Sequence, residues 1–241
     1  MEDENYDIIY KIEKSNWWYV AKRDLINRIL AKTGRKFDRA LDIGCGPGAN
    51  IEVLNTFAGK VTGVDISPKA IEYSRRIHPH NEFLLANAEN LPFADSSFDL
   101  ILCSEVLEHV EDTKAIAEVL RILKPQGVLI ITVPAHRYLW NFNDRFNHHL
   151  RRYNTSAIKI LLGAPFAIKH VGYWNCISYL PALVLARLNH TSMGKKNTNN
   201  LYLVPKFMNN FLLEILKMEN HLFQRNLSLQ GVSLVCVAYK R

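Results

Sequence analysis

Short apolar runs rich in β-branched residues recur through the first half of the chain, at Phe37–Ile43, Lys60–Asp65, Glu82–Leu85, Phe98–Cys103 and Gly127–Val133. Each reads as a strand, and together they read as a buried parallel sheet. Between them, Ala49–Phe57, Pro68–Ile77 and Asp112–Leu123 repeat their apolar positions at helical spacing, with Ser67 as N-cap and Pro68 in the first turn. This alternation predicts an α/β fold: a doubly wound, mostly parallel sheet with helices on both faces. Ahead of the first strand, Trp17–Lys32 has helical spacing through Val20, Leu25, Ile29 and Leu30 and stops at Thr33-Gly34. Residues 1–36 are therefore expected to be an N-terminal helical segment, a lid or packing helix, before one domain over 37–241. Beyond the fifth strand, Thr155–Leu162 reads as a helix and Phe166–Trp174 as a strand, and Gly231–Tyr239 alternates as a last, seventh strand. A helical insertion over 176–228 precedes it, with helices at Ser178–Leu188 and Pro205–Phe223 joined by the polar His190–Asn200, a loop or disordered stretch by composition.

Composition limits the class of protein. The chain has 241 residues, 48% of them apolar and 22% charged, with a mean hydropathy of −0.09, as in a globular domain with a self-sufficient core. Cys45, Cys103, Cys176 and Cys236 show no metal-ligand spacing. No signal-peptide pattern is seen, and the longest apolar stretch, Cys176–Leu188, contains Pro181 and Arg187 and is too short to span a bilayer. A reduced, cytoplasmic protein is expected. Charge is uneven: residues 1–133 hold 16 Lys/Arg and 20 Asp/Glu, and residues 134–241 hold 14 Lys/Arg and 3 Asp/Glu. The basic second part suggests an anionic partner or simply a soluble surface.

The first strand runs into Leu41-Asp42-Ile43-Gly44-Cys45-Gly46-Pro47-Gly48, where glycines allow a sharp turn and close approach to a ligand. With Ala49 the segment also satisfies GxGxxA, a dinucleotide-binding pattern. The alternate spacing of Gly44, Gly46 and Gly48 and the acid inside the strand end favour a different nucleoside ligand. Asp65, ending the second strand, is placed to accept both ribose hydroxyls.

From here the residues resemble the class I S-adenosylmethionine-dependent methyltransferases, whose fold is Rossmann-like with a reversed last strand. LDIGCGPG is similar to their first motif, VTGVDIS to the second, ANAENLPFADSSFDLILCSEVLEHVED to the third and fourth, and LKPQGVLIITVP to the strand-five motif. The resemblance implies S-adenosylmethionine as cofactor: Gly44 and Gly46 under its methionine part, Gly48 also in the cofactor loop, Asp42 orienting the ammonium, Asp65 on the ribose, Ile66 packing on adenine, the Ala88 N–H on a ring nitrogen, and Ser104 at the strand-four end. Asn87 stands where the family commonly has Asp, and its carbonyl oxygen can still accept from the exocyclic amine. The alternative for Asn87 is a turn residue.

For the acceptor, Ser104-Glu105-Val106-Leu107-Glu108-His109 resembles the stretch of quinone-precursor O-methyltransferases. In some of those the equivalents of Glu105, Glu108 and His109 hold a divalent metal; others with the same Glu-His pair use none, and metal-independent activity is the expectation here. Glu108, His109 and His149 are the expected catalytic residues, with His109 equally open as general base, substrate contact or packing residue. Trp17-Trp18, the insertion and His149-Leu150-Arg151-Arg152-Tyr153 resemble a bacterial and archaeal branch of the family. Arg151, Arg152 and Tyr153 are assigned to the acceptor, one arginine facing the pocket and the other a carboxylate of the N-terminal helix or solvent. A small-molecule, glycan- or lipid-linked acceptor, methylated on oxygen and anionic, is the resulting expectation. A nucleic-acid methyltransferase and a non-catalytic cofactor-binding scaffold are the alternatives. Peripheral membrane contact and a homodimer stay open, with Tyr173–Pro181 expected as core or dimer contact.

Overall fold

The computed structural model describes residues 6–188, 204–225, 227 and 229–241. Its strands are β1 (Phe37–Ile43), β2 (Ala58–Asp65), β3 (Glu82–Leu85), β4 (Phe98–Ser104), β5 (Leu123–Pro134), β6 (Phe166–Trp174) and β7 (Ser233–Lys240). They form one seven-stranded sheet in the order β3-β2-β1-β4-β5-β7-β6. Neighbours run parallel as far as β5, and β7 is antiparallel to both β5 and β6. The sheet has the doubly wound, mostly parallel form expected. Its order reverses between β1 and β4, and at such a switch point the connections leave in opposite directions and open a crevice at the strands' carboxyl ends.

Helices α2 (Trp17–Thr33), α3 (Ile51–Asn55), α4 (Pro68–Ile77) and α9 (Lys206–Gln224) cover one face, burying Leu25, Ile26, Leu54, Ile71 and Leu216 with Leu100 and Leu102 of β4. Helices α5 (Asp112–Ile122) and α7 (Thr155–Leu162) cover the other, burying Ile116, Val119 and Ile158 with Ile101 and Ile131. Because both faces of the central strands are covered, β4 and β5 are almost continuously apolar. Local signals set the helix ends. Asn16 Oδ1 accepts the Trp18 N–H at 3.0 Å and Gly34, at φ +64°, terminates α2; Ser67 Oγ accepts the Ala70 N–H at the start of α4.

Several elements depart from the sequence expectation. Helix α1 (Tyr6–Ser15) is additional: Tyr6 and Tyr10 lie against the Tyr73 ring of α4, and the Tyr6 and Ser67 hydroxyls are 2.9 Å apart, so its support comes from distant residues. The helix expected over Ala49–Phe57 shortens to α3, because the Phe57 carbonyl already accepts the Phe37 N–H as the chain enters β2. Strand β5 begins at Leu123, ahead of the expected Gly127, across a register shift between Phe98 and Leu100. A 3₁₀ turn at Arg137–Leu139 and the short α6 (Phe142–Phe146) follow β5. The insertion contains α8 (Tyr179–Leu188) and α9, and the polar stretch His190–Asn200 lies outside the described residues.

The insertion and the N-terminal segment pack together. Asn220 of α9, fully buried, accepts from Trp174 Nε1 at 2.8 Å and donates to the Ala21 carbonyl at 2.9 Å and Asp24 Oδ2 at 2.8 Å. Asn209 accepts the Trp17 N–H at 2.8 Å and donates to the Ser15 carbonyl. One asparagine thus ties β6, α9 and α2. Of the stretch Tyr173–Pro181, Trp174 and Asn175 are buried, whereas Leu180 is exposed together with Val184, Phe207 and Phe211 on α8 and α9. Among the described residues, no helix is long and apolar enough to cross a membrane. Asn220→Ala leaves the Trp174 indole N–H buried without a partner and removes the two bonds to α2, and is expected to lower stability by about 1–3 kcal/mol in urea unfolding.

Candidate functional site

The turn after β1 is built around backbone acceptors. The N–H groups of Gly44 and Cys45 both reach the Val64 carbonyl at the end of β2, at 2.8 and 2.9 Å. Gly44 takes φ +69°, and a Cβ there would collide with Val106, which follows β4. Gly48, at φ +86°, faces His78, whose ring would meet any side chain at that position. These glycines therefore serve the closeness of loop to loop. Asp65 lies beneath them, accepting the Gly46 N–H and the Ser67 N–H at 2.8 Å each. Its two oxygens retain lone pairs for a ligand.

Asp42, at the end of β1, is fully buried, and neither of its oxygens has a hydrogen-bond partner. Burial pushes its carboxyl up to about 8, although the charge of Lys22 opposes the shift. Lys22 of α2 is itself buried, with its ammonium 4.2 Å from the centre of the Trp18 ring and 3.9 Å from Glu105 Oε1. Trp18 thus packs against a cation and against Trp174 at 6.3 Å, a clasp between α2 and the sheet. Glu13 of α1 also lies near Lys22, Arg23 and Asp65, and burial raises its carboxyl to about 7.

The residues expected at the adenosine end lie along one rim, with Ile66 exposed and Ala88 buried. The Asn87 side-chain oxygen accepts the Glu89 N–H at 3.0 Å, the turn role left open from sequence, so an adenine amine would use its second lone pair. Ser104 hydrogen-bonds Thr132, and Thr132 donates to Glu105 Oε1, both at 2.8 Å. Ser104 therefore helps to orient Glu105, a non-glycine residue held at φ +57°.

On the acceptor side, one atom each of Glu108, His109 and His149 lies within 4.8 Å of the others. Glu108 is fully buried with both carboxylate oxygens unpartnered, and burial together with the nearby Glu105 charge raises its carboxyl well above the usual range. The His109 and His149 rings stand edge to face at 4.7 Å, and burial followed by the His149 charge lowers the His109 imidazole below its ordinary value. His149 Nδ1 lies 3.0 Å from Asp144 Oδ1. Burial alone would raise the Asp144 carboxyl, but hydrogen bonds from His149 and Arg152 and the Arg152 charge hold it below the usual carboxylate range. An ionised carboxylate only accepts, so Nδ1 carries the proton and Nε2 is free to face the cluster.

The expected orientation of the two arginines is corrected. Arg152 is bound to Asp144 at 2.7 and 3.0 Å and to the Ala135 carbonyl, and Arg151 pairs with Asp112 at 2.9 Å, at the start of α5 rather than on the N-terminal helix. Tyr153 is buried, its hydroxyl 2.8 Å from Asp112 and 3.0 Å from the Leu107 carbonyl. The three residues anchor the loop after β5 to α5 and α6, since each has a polar partner within the chain. The same stretch beyond β5, His136–Trp140 and Asn143–Tyr153, reads from sequence as an anion-binding wall, and part of it lines an open space beside these residues. A cavity of about 450 Å³ is lined by Arg137, Tyr138, Trp140, Arg145, Leu150 and Ala186. Neither Arg137 nor Arg145 pairs with a carboxylate among the described residues. The Leu150 N–H donates to the Glu108 carbonyl at 2.7 Å, which sets this cavity beside the Glu108 cluster.

Residues 41–131 match the model of the methyltransferase domain family. The chain is 30% identical over 151 residues to demethylmenaquinone methyltransferase of Renibacterium salmoninarum, covering 62% of this chain and 61% of that protein. It is 30% identical over 131 residues to malonyl-[acyl-carrier protein] O-methyltransferase of Enterobacter lignolyticus, covering 52% of each. The chain thus spans between half and three fifths of these curated relatives. Its fold is similar to that of the N-methyltransferase NodS of Bradyrhizobium japonicum, solved with S-adenosyl-L-homocysteine, with a TM-score of 0.59 at 17% identity over 93% of this chain and 88% of that one. Residues 41–131 thus match a methyltransferase domain, and around that segment the chain is similar in sequence to S-adenosylmethionine-dependent methyltransferases and shares their sheet.

Proposed function

We propose that this protein transfers a methyl group from S-adenosylmethionine to an oxygen of an anionic small-molecule, glycan-linked or lipid-linked acceptor. The observation that carries the cofactor reading is Asp42: a fully buried carboxyl with no hydrogen bond of normal length, and only Asn50 and Lys22 as favourable neighbours, is costly unless a ligand supplies a partner. The ammonium of an amino-acid group is such a partner, and Asp65 offers its remaining lone pairs to ribose hydroxyls on the far side of the glycine loop. Bound there, the cofactor supplies an electrophilic methyl group on a sulfonium.

The chain's own contribution is orientation. Displacement at carbon requires the acceptor near 3–3.5 Å in line with the departing bond, and holding it so accounts for much of the rate. The crevice between β1 and β4 holds the donor side, and the polar wall of Glu108, His109 and His149 receives the acceptor's oxygen. Arg137 and Arg145, uncommitted and lining the neighbouring cavity with Trp140, would bind the acceptor's charged group. The anionic preference follows from these two residues and from the acid-poor second half of the chain. Two relatives are, by name, methyltransferases of demethylmenaquinone and of malonyl-[acyl-carrier protein], which supports an acceptor that is a small molecule or a small group on a carrier.

Calorimetry is expected to give micromolar binding of S-adenosylmethionine or S-adenosylhomocysteine, with Asp65→Ala costing about 1.5–3 kcal/mol. Heat from NAD and none from either methyl-donor ligand would refute the assignment. Because the Asp42 carboxyl is raised from 3.8 to about 8, the folded state holds a proton that the unfolded state releases between those values. Stability therefore falls as pH rises from about 4 to 8, by roughly 1 kcal/mol per unit where the linkage is fully developed. Asp42→Asn is expected to flatten that slope, raise the melting temperature at pH 7.5 and weaken cofactor binding at least tenfold. With labelled donor and a panel of hydroxylated carboxylates and phosphates, Arg145→Ala is expected to raise the acceptor KM about tenfold or more at unchanged cofactor affinity.

A further inference from the structure

The three groups at the acceptor wall have the composition of a metal site. Glu108 projects a fully buried carboxylate with no hydrogen-bond partner into the same space as the imidazoles of His109 and His149, one ligand atom from each lying within 4.8 Å of the others. Among the described residues, no other group of three or more His, Cys, Asp or Glu side chains converges in this way. His149 has the second feature of a ligand: its Nδ1–H is fixed by the buried Asp144, itself held by Arg152 and by the Asn141 N–H at 2.8 Å. A carboxylate behind a histidine sets the tautomer, turns Nε2 toward the ion and raises its basicity. Backbone bonds secure the arrangement, with the Leu150 N–H on the Glu108 carbonyl at 2.7 Å and the His149 N–H on the Asp144 carbonyl at 2.8 Å.

We infer that Glu108, His109 and His149 bind one divalent transition-metal cation, with Asp144 as the residue that positions His149. Two imidazoles and one carboxylate suit Zn²⁺, Co²⁺, Fe²⁺ or Mn²⁺, whereas Mg²⁺ and Ca²⁺ prefer oxygen donors throughout. Ligand bonds of about 2.1 Å place donor atoms roughly 3–3.5 Å apart in a tetrahedron. Side-chain rotation at His109, which is exposed, draws the donors together while the His149–Asp144 bond is kept. This set differs from the one the quinone-type resemblance implies. Glu105 lies beside Glu108, but its Oε1 accepts from Thr132 at 2.8 Å and stands 3.9 Å from Lys22, and the third ligand is a histidine from beyond β5. The inference departs from the metal-independent activity expected from sequence, and the titration below decides between the two.

The inference deepens the proposed function: three protein ligands leave a coordination position open, and an acceptor's hydroxyl or enolate oxygen would occupy it. It rests on the methyl-transfer reading only for that role. Its test is binding of the metal alone. The full chain is stripped with chelator and titrated with Co²⁺, followed by visible absorption, with Zn²⁺ added in competition. One Co²⁺ per chain is expected, with a tetrahedral or five-coordinate spectrum that Zn²⁺ abolishes. His149→Ala and, separately, His109→Ala are each expected to weaken Co²⁺ binding at least tenfold, and Glu105→Gln to leave it within threefold. Calorimetric binding of S-adenosylhomocysteine to each variant checks its fold and reports separately on the cofactor reading. No Co²⁺ spectrum up to millimolar metal, or a spectrum unaffected by His149→Ala in a variant that binds S-adenosylhomocysteine, would overturn the site. Loss of the spectrum on Glu105→Gln with retention on His149→Ala would overturn this ligand set in favour of the contiguous one.

Discussion

Negative charge crowded against the carboxyl edge of the sheet is the constraint on which the rest of this structure depends. Asp42 and Glu108 are fully buried without hydrogen-bond partners, Asp65 lies under the glycine loop, and Glu105 stands between them at a left-handed backbone position. Carboxylates in such surroundings disfavour the folded state unless neutralised or given a partner. Lys22 is the nearby buried cation, 3.9 Å from Glu105 and opposing the shift at Asp42. The face of Trp18 supports its ammonium, so the paired tryptophans belong to the electrostatics of the site as much as to the core.

From that lysine a line of dependence runs through the whole molecule. Lys22 is in place because α2 is docked, and α2 is docked because α9 holds it through Asn220 and Asn209. The insertion before the last strand is therefore a structural partner of the N-terminal segment, although nearly two hundred residues separate Asn209 from Trp17. Removing α9 would take away the bonds of Asn220 and Asn209 to this segment and weaken the seating of Lys22. The exposed apolar residues on its other side, Phe207, Phe211 and Met218, are not needed for this role.

The loop after β5 applies the same logic to arginine. Asp144 and Asp112 each take one arginine, the two side chains leave the segment toward different elements, and His149 is left oriented between them. Paired charges here hold a shape. The cationic groups left uncommitted, Arg137 and Arg145, lie in the adjacent cavity, and the excess positive charge of the second half can act on an anionic ligand from there.

What the sequence determined by itself was whatever depends on local pattern. The β-branched runs, the Ser67-Pro68 start, the Gly34 stop and the GCGPG turn follow from short-range sterics and hydrogen bonding, and the strands Phe37–Ile43, Glu82–Leu85 and Phe166–Trp174 lie where their periodicity put them. The family motifs, all within residues 37–134, were legible for the same reason, since strand, turn and ligand-facing acid are contiguous there. Tertiary structure alone decided the rest. Helix α1 exists through the ring of Tyr73 and the hydroxyl of Ser67, and β5 gains residues only because Phe98 pairs with Leu123. Whether Arg151 and Arg152 faced a ligand or a carboxylate depended on where Asp112 and Asp144 arrived in space. The distance between Glu108 and His149 is of the same kind: both are candidates from their own motifs, but residues forty-one apart become one polar cluster only when β5 returns the chain to the edge of β4.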